Sequence, residues 1–267
     1  MKPLSTFPHA ELHTIRGVFT DIDDTLTTDG QLTAEAYTAM ERLRSLGLIV
    51  VPVTGRPAGW CDHIARMWPV DGIVGENGAF YFRYDREKRR MGRHYIDGDK
   101  QRTANRERLA ALGHQIVEQV PGAAISSDQP YRETDLAIDY CEDVAPLPMS
   151  SVDRIVALLD EAGATVKVAS IHVNAWFGTY DKLSMTKKFA ADCLGVDLGD
   201  AEGNFIFIGD SPNDAPMFTF FSHAVGVANV RDFGDRLKIA PTYVTKNKNG
   251  AGFAELATFL IDALGGL

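Results

Sequence analysis

Between Gly17 and Gly30 the chain reads GVFTDIDDTLTTDG, placing three carboxylates, Asp21, Asp23 and Asp24, within four residues of one another directly after the apolar pair Val18 and Phe19. Acids crowded at a strand end repel one another and lose hydration, so they persist where a cation or several backbone N–H groups offset their charge. The cluster therefore points to a metal site. The alternative is a solvated turn whose Asp and Thr side chains cap a helix or bond their own backbone. An EF-hand loop is excluded, because that loop needs Gly at its sixth position and Leu26 stands there.

Two other apolar runs end in polar residues suited to the same site. Leu48 to Val53 leads into Thr54-Gly55-Arg56-Pro57, a hydroxyl, a Gly that permits close backbone approach and a Pro at a helix start, which together form an anion cradle. Asn204 to Ile208 leads into Gly209-Asp210-Ser211-Pro212-Asn213-Asp214. In an open parallel α/β sheet, ligands bind in the crevice beyond the carboxyl ends of the strands, where such distant residues meet. Lys182, just ahead of a helix, would bring a cation among the acids.

The positioning elements alternate as α/β at both ends of the chain. Residues 1 to 15, with two prolines and mixed polarity, read as a surface arm. The first strand is Arg16 to Thr20, and Thr27-Thr28-Asp29-Gly30 is a tight hairpin, a flap beside the site. Thr33 caps a helix from about Ala34 to Leu46 that Gly47 stops. A short strand near Gly72 to Gly75 enters Glu76-Asn77-Gly78, a hairpin signal.

The middle segment differs. Strand-like pieces at Ala79 to Tyr84, Arg93 to Ile96, Asp135 to Tyr140, Thr165 to Ala169 and Ile171 to Phe177 are separated by helical patterns over Ala104 to Val120 and Val152 to Ala162. This predicts an α+β unit, residues 83–177, inserted into a core of residues 1–82 and 178–267. From Asp181 the α/β pattern returns, with Ser184 as N-cap of a helix through Leu194, further strands at His223 to Val227 and Tyr243-Val244, and helices near Arg231 to Leu237 and Phe253 to Leu264.

The 267 residues, 45% of them hydrophobic, can bury a sizeable core. A net charge of -9 argues against nucleic acid and anionic membranes as partners. Cys61, Cys141 and Cys193 lie far apart without CxxC spacing, so neither zinc nor a disulfide framework is indicated. The N-terminal segment lacks an apolar signal region and no run reaches membrane-spanning length, so a cytoplasmic protein is expected.

Asp-Ile-Asp-Asp-Thr, Val-Thr-Gly-Arg, a Lys before a helix and Gly-Asp-Ser-Pro-Asn-Asp resemble, in order and approximate spacing, the four motifs of the haloacid dehalogenase-like (HAD) phosphohydrolases. The insert's position resembles the type IIB cap of the Cof-like and sugar-phosphatase branch. The resemblance implies a Rossmann-like parallel core and a magnesium-dependent phosphatase working through an aspartyl-phosphate. By the same resemblance Asp21 is the nucleophile and Asp23 the acid/base. Magnesium is then held by the carboxylates of Asp21 and Asp210 and the backbone carbonyl of Asp23, with Asp214 in support. The phosphoryl oxygens fall to the backbone after Asp21 at Ile22, to Thr54 and Gly55, and to Lys182 and Asn213. Lys187 and Lys188 compete for the lysine role, and Lys182 is preferred because the family lysine lies just before its helix.

Glu76-Asn77-Gly78 resembles the turn of the sucrose-phosphatase, mannosyl-3-phosphoglycerate phosphatase and phosphomannomutase branches, so a sugar phosphate is the expected substrate. Glu76, Asn77 and Arg56 are candidates to bond its hydroxyls, and His172, Asn174 and Trp176 are further candidates in the last strand of the insert. The alternatives are a phosphomutase and a receiver-type signalling module, the latter disfavoured by length and by the insert.

Overall fold

The computed structural model describes residues 1–169 and 171–265. Ser170, in the expected insert, and Gly266 and Leu267, at the end of the expected second core segment, lie outside the described residues. Six strands form the main sheet in the order Lys2–Pro3, Tyr243–Val244, His223–Gly226, Phe205–Gly209, Gly17–Thr20, Ile49–Pro52, and every neighbouring pair is parallel. Its central strands are apolar on both faces, as a sheet covered on both sides requires. Val18, Val50, Ile206 and Val225 pack into one buried cluster, and Phe19, Val51, Phe205, Phe207 and Ala224 into another.

Register decides what the sheet presents. Phe19 lies opposite Phe207 and Val51, and Thr20 opposite Ile208 and Pro52. The loops starting at Asp21, Val53 and Asp210 therefore leave the sheet side by side at one edge.

The first fifteen residues are not a surface arm. Lys2–Pro3 is the edge strand, bonded in parallel to Tyr243–Val244, and Leu4, Phe7, Leu12 and Ile15 are buried. An edge strand tolerates Pro3 because its missing N–H faces away from the ladder. Four apolar anchors spread through polar sequence carry no clear period, which is why the segment resembles a loop.

Thr27–Thr28 pairs with Gln31–Leu32 across Asp29 (φ 51°) and Gly30 (φ 72°), a tight hairpin with both central residues left-handed. Ile73–Gly75, Phe80–Asp85 and Arg90–Tyr95 form a three-stranded antiparallel sheet, and a parallel bridge between Val53 and Val74 joins it to the main sheet's side of the molecule. Phe80 and Phe82 sit in the same buried cluster as Val18 and Ile206. The hairpin of 80–95 thus packs with the parallel layer, although its outer half is basic and exposed.

Four antiparallel strands, in the order Thr165–Val168, His172–Trp176, Leu136–Asp139, Ala124–Ile125, form a separate sheet. The helices Asp99–Gln119 and Met149–Glu161 cover it through Leu109, Ile116, Ile155 and Leu159, which meet Leu136, Ile138 and Val173. The first helix begins five residues before Ala104 because the polar run after Gly98 is helical without facing a core. Residues Ala228–Arg236 form a 3-10 stretch, kinked at Gly234, where an ordinary helix was predicted. Trp176 is 1% exposed and stacks on Tyr180 with ring centroids 5.7 Å apart, so it is a core residue and not a sugar platform.

Candidate active site

The first polar loop leaves Thr20 with Asp21 bonded through its N–H to the Ile208 carbonyl, so the Asp21 backbone still follows the ladder. The chain then turns sharply. The Ile22 carbonyl accepts N–H bonds from Thr25, Leu26 and Thr27, and Asp24 takes a left-handed φ of 55°. Ile22 is 3% exposed and its side chain is core, so any contact with an anion falls to its backbone.

The loop after Gly209 turns back on itself. Asp210 donates its N–H to Asp214 Oδ2 at 3.2 Å, and Asp214 Oδ2 would lie 2.3 Å from a Cβ built on Gly209. Glycine at 209 is what lets the second carboxylate tuck beneath the strand end. Asp21, Asp210 and Asp214, all buried, each bring an oxygen within 4.8 Å of the others.

Lys182 is the fourth member. Its Nζ donates to Asp21 Oδ1 and Asp214 Oδ1, both at 2.8 Å, and the residue is 5% exposed. The N-cap of its helix is Asp181, whose carboxylate accepts from Ser184 N while Ser184 Oγ accepts from Asp181 N. Ser184 is therefore the reciprocal residue of a capping box and not the cap, and Lys182 is the first helical residue. A Cβ at Gly78 would meet the Asp181 carbonyl at 2.0 Å, so the Glu76-Asn77-Gly78 turn is the seat on which the lysine loop rests.

Electrostatics show what the cluster lacks. Three carboxylates against one ammonium leave two uncompensated charges. Burial, with the Asp214 and Asp23 charges adding and Lys182 opposing, pushes Asp21 up to about 7. Burial and the charges of Asp21 and Asp214 push Asp210 well above the usual carboxylate range. Burial works against the Lys182 charge, but Asp21 and Asp214 outweigh it and hold the ammonium protonated.

Asp210 receives, among the described residues, one long side-chain bond, from Thr25 Oγ1 at 3.4 Å. A buried carboxylate with so few donors facing a second carboxylate suits an oxygen-binding divalent cation, and magnesium fits this all-oxygen set. Asp214 differs, since its two oxygens are already engaged by Lys182 and Asp210 N, which suits an orienting role.

Asp23 and Arg56 form a second pair. Arg56 Nε and Nη2 grip Asp23 Oδ1 at 2.9 and 2.7 Å, and Nη1 lies 3.8 Å from Glu142 and 4.0 Å from Asp128. A narrow cleft of about 50 Å³ is lined by Asp21, Asp23, Gly55, Asn77, Asp210 and Asn213. His172, Asn174 and Lys167 face it from the four-stranded sheet. The three loops predicted to converge therefore do so.

Thr54 and Glu76 are both drawn into the protein's own hydrogen bonds. Thr54 is fully buried, and its Oγ1 accepts the Arg56 N–H at 3.0 Å, which shapes the loop and leaves the hydroxyl its own proton to donate. Glu76, also fully buried, accepts from Ala58 N, Glu133 N, Thr134 N and the Thr134 hydroxyl. Its carboxylate braces the 133–134 segment against the helix Ala58–Met67 and has no free face for a sugar. Asn77 alone of that turn's two polar side chains lines the cleft, and its Nδ2 is buried without a partner.

Arg132 is 6% exposed, bonds Asp128 and Asp135, and donates to the Gly55 carbonyl at 3.0 Å, tying the second sheet's loop to the turn after Thr54. Nothing in its sequence surroundings distinguishes it, because an Arg among Asp and Glu reads as a solvated face. Thr25 is the other contributor not foreseen.

The family model described as haloacid dehalogenase-like hydrolase matches residues 18–110 and 182–256. The phosphoglycolate phosphatase of Archaeoglobus fulgidus is 27% identical over 247 residues, spanning 92% of this chain and 96% of its own. The crystal structure of Thermoplasma acidophilum 0175 superposes with a TM-score of 0.71 at 16% identity, over 92% of this chain and 98% of that one. The C-terminal domain of Candida albicans trehalose-6-phosphate phosphatase gives 0.70 at 15% identity over 98% of both chains. With its acids, lysine and loops gathered at one sheet edge and more than half its length matching the family model, this chain belongs to the haloacid dehalogenase-like hydrolases.

Proposed function

We propose that the protein is a magnesium-dependent phosphatase that hydrolyses the phosphate monoester of a small metabolite. The observation that carries this reading is the buried group of Asp21, Asp210 and Asp214 around Lys182 at the carboxyl ends of parallel strands. Asp21, Asp210 and the Asp23 backbone carbonyl would hold the ion, with Asp214 orienting Lys182 and the loop. When bound, magnesium supplies charge neutralisation between the carboxylates and the phosphoryl oxygens.

Asp21 attacks phosphorus in line and carries the phosphoryl group as an aspartyl-phosphate. Asp23 gives a proton to the departing alkoxide and then takes one from the water that attacks the intermediate. Both duties require Asp23 to loosen its bond to Arg56, and Asp128 and Glu142 stand ready as alternative partners for the guanidinium. Lys182, Asn213 and the backbone at Ile22 and Gly55 hold the phosphoryl oxygens. Residues from about 98 to 177 act as the cap, a later start than 83 because the strand Arg90–Tyr95 is bonded into the core-side sheet.

The polar wall of Lys167, His172, Asn174 and Asn77 favours a hydroxylated leaving group, and sugar phosphates are the class we assign to it. The names of relatives support phosphate ester hydrolysis and differ in substrate, phosphoglycolate for one group and trehalose 6-phosphate for a structural neighbour. Phosphate release from a panel of phosphorylated metabolites, with the Asp21→Asn variant as control, tests the reading. Release should fall at least a thousandfold in the variant while its circular dichroism stays unchanged. Equal release would remove Asp21 from the nucleophile role, and phosphoryl transfer within a bisphosphorylated substrate without release would favour a mutase.

A further inference from the structure

A second cleft, of about 450 Å³, adjoins the Asp23 and Arg56 pair, and these two residues line both clefts. Its wall is aromatic and apolar, built by Ile22, Trp60, His63, Trp68 and Tyr131. Trp60 is 43% and Tyr131 58% exposed, a costly presentation of large rings to water. The two rings come from opposite sides. Trp60 lies on the helix Ala58–Met67 with the Arg56 guanidinium 4.5 Å from its ring centroid, and Tyr131 reaches over from the 129–131 turn to contact Gly59. None of these rings has a part in the phosphoryl transfer described above.

We infer that this cleft receives an aromatic or fused-ring portion of the leaving alcohol, so that the centre also hydrolyses phosphate monoesters of ring-bearing alcohols. The inference rests on the phosphatase reading of the adjoining site. The leaving oxygen takes its proton from Asp23, and because Asp23 lines both clefts, an alcohol departing past it can lay a ring in the aromatic cleft while hydroxylated alcohols keep to the polar one. A flat apolar ring gains contact with Trp60 and Tyr131. A polyhydroxylated ring would surrender hydrogen bonds to water, because Trp60, Trp68 and Tyr131 offer it mostly apolar surface. In the reaction the ester P–O bond breaks, the ring-bearing alcohol leaves with the Asp23 proton, and water completes the phosphate.

The test compares 2-(1-naphthyl)ethyl phosphate with ethyl phosphate, esters of similar leaving-group basicity, by phosphate release from the magnesium-loaded protein. The expected result is a kcat/KM ratio of about ten or more in favour of the naphthyl ester, falling to roughly three or less in both Trp60→Ala and Tyr131→Ala. A non-hydrolysable probe, 2-(1-naphthyl)ethylphosphonate, titrated into Asp21→Asn protein, should bind about tenfold more weakly once Tyr131→Ala is added. A ratio near one, or a preference that both substitutions leave intact, overturns the aromatic subsite while the phosphatase reading stands. Release from neither ester, nor from the metabolite panel, overturns the phosphatase reading, and the phosphonate titration then still decides whether the cleft binds a ring.

Discussion

Replacing Lys182 with Met tests the electrostatic account of the centre most directly, because it removes charge while keeping the length of the side chain. Lys182 Nζ makes two bonds of 2.8 Å to carboxylates that are themselves buried. Its loss leaves Asp21, Asp210 and Asp214 without a resident cation, so in buffer above about pH 7, where Asp21 ionises, carboxylate charge is stranded away from water. Breaking a buried ion pair by removing one partner costs about 3 to 5 kcal/mol, since the remaining charge is stranded away from water. For a chain of this length each kcal/mol is worth roughly 2 to 4 °C, so the metal-free variant should melt roughly 6 to 20 °C below the parent.

Magnesium should then return more to the variant than to the parent, because the cation enters a site one unit more negative. For scale, ligand at a hundred times its dissociation constant stabilises the parent by about 2.7 kcal/mol. Scanning calorimetry of both proteins, with chelator and with saturating magnesium, reads the two increments. A loss below about 3 °C without metal, or an identical loss in both conditions, would refute the reasoning. The first would mean that the carboxylates shed their charge as protons, the second that they do not share an ion.

Two other outcomes follow from the same geometry. Asp210→Ala should leave the fold intact, as among the described residues only Thr25 Oγ1 bonds its carboxylate, and should raise the magnesium concentration for half-maximal phosphate release at least tenfold; an unchanged metal dependence would remove Asp210 from the ligand set. Glu76→Gln should cost about 1 to 3 kcal/mol in urea unfolding, because a Gln amide turns its NH2 toward donors that now meet two acceptor oxygens; a neutral result would show that this bracing contributes little.

The parallel core was legible because its signal is local. Runs such as Ile49–Pro52 and Phe205–Gly209 are apolar at every position and stop abruptly at polar residues, a pattern that few structures other than a doubly covered sheet satisfy. Asp21, Asp210, Asp214 and Lys182 were legible for the same reason, since each marks the end of such a run or the start of a helix. The edge strand Lys2–Pro3 was not, because two residues cannot show a period and its partner lies some 240 positions away.

Side-chain direction was the other blind spot, and Glu76 and Arg56 show why. Both occupy polar turns beside the site, and both are chemically suited to a sugar hydroxyl. Which way each points depends on donors and acceptors supplied by residues 128–134, brought in by the second sheet. Glu76 turns toward the Glu133 and Thr134 amides, and Arg56 closes on Asp23 with Asp128 and Glu142 behind it. The same segment carries Arg132 to the Gly55 carbonyl and Tyr131 to the face of Gly59. One loop of the second sheet thus fixes the Gly55 turn, the partner of Asp23 and one wall of the aromatic cleft. A displacement of that loop would alter all three together, so under the proposed mechanism substrate choice and the readiness of Asp23 change together.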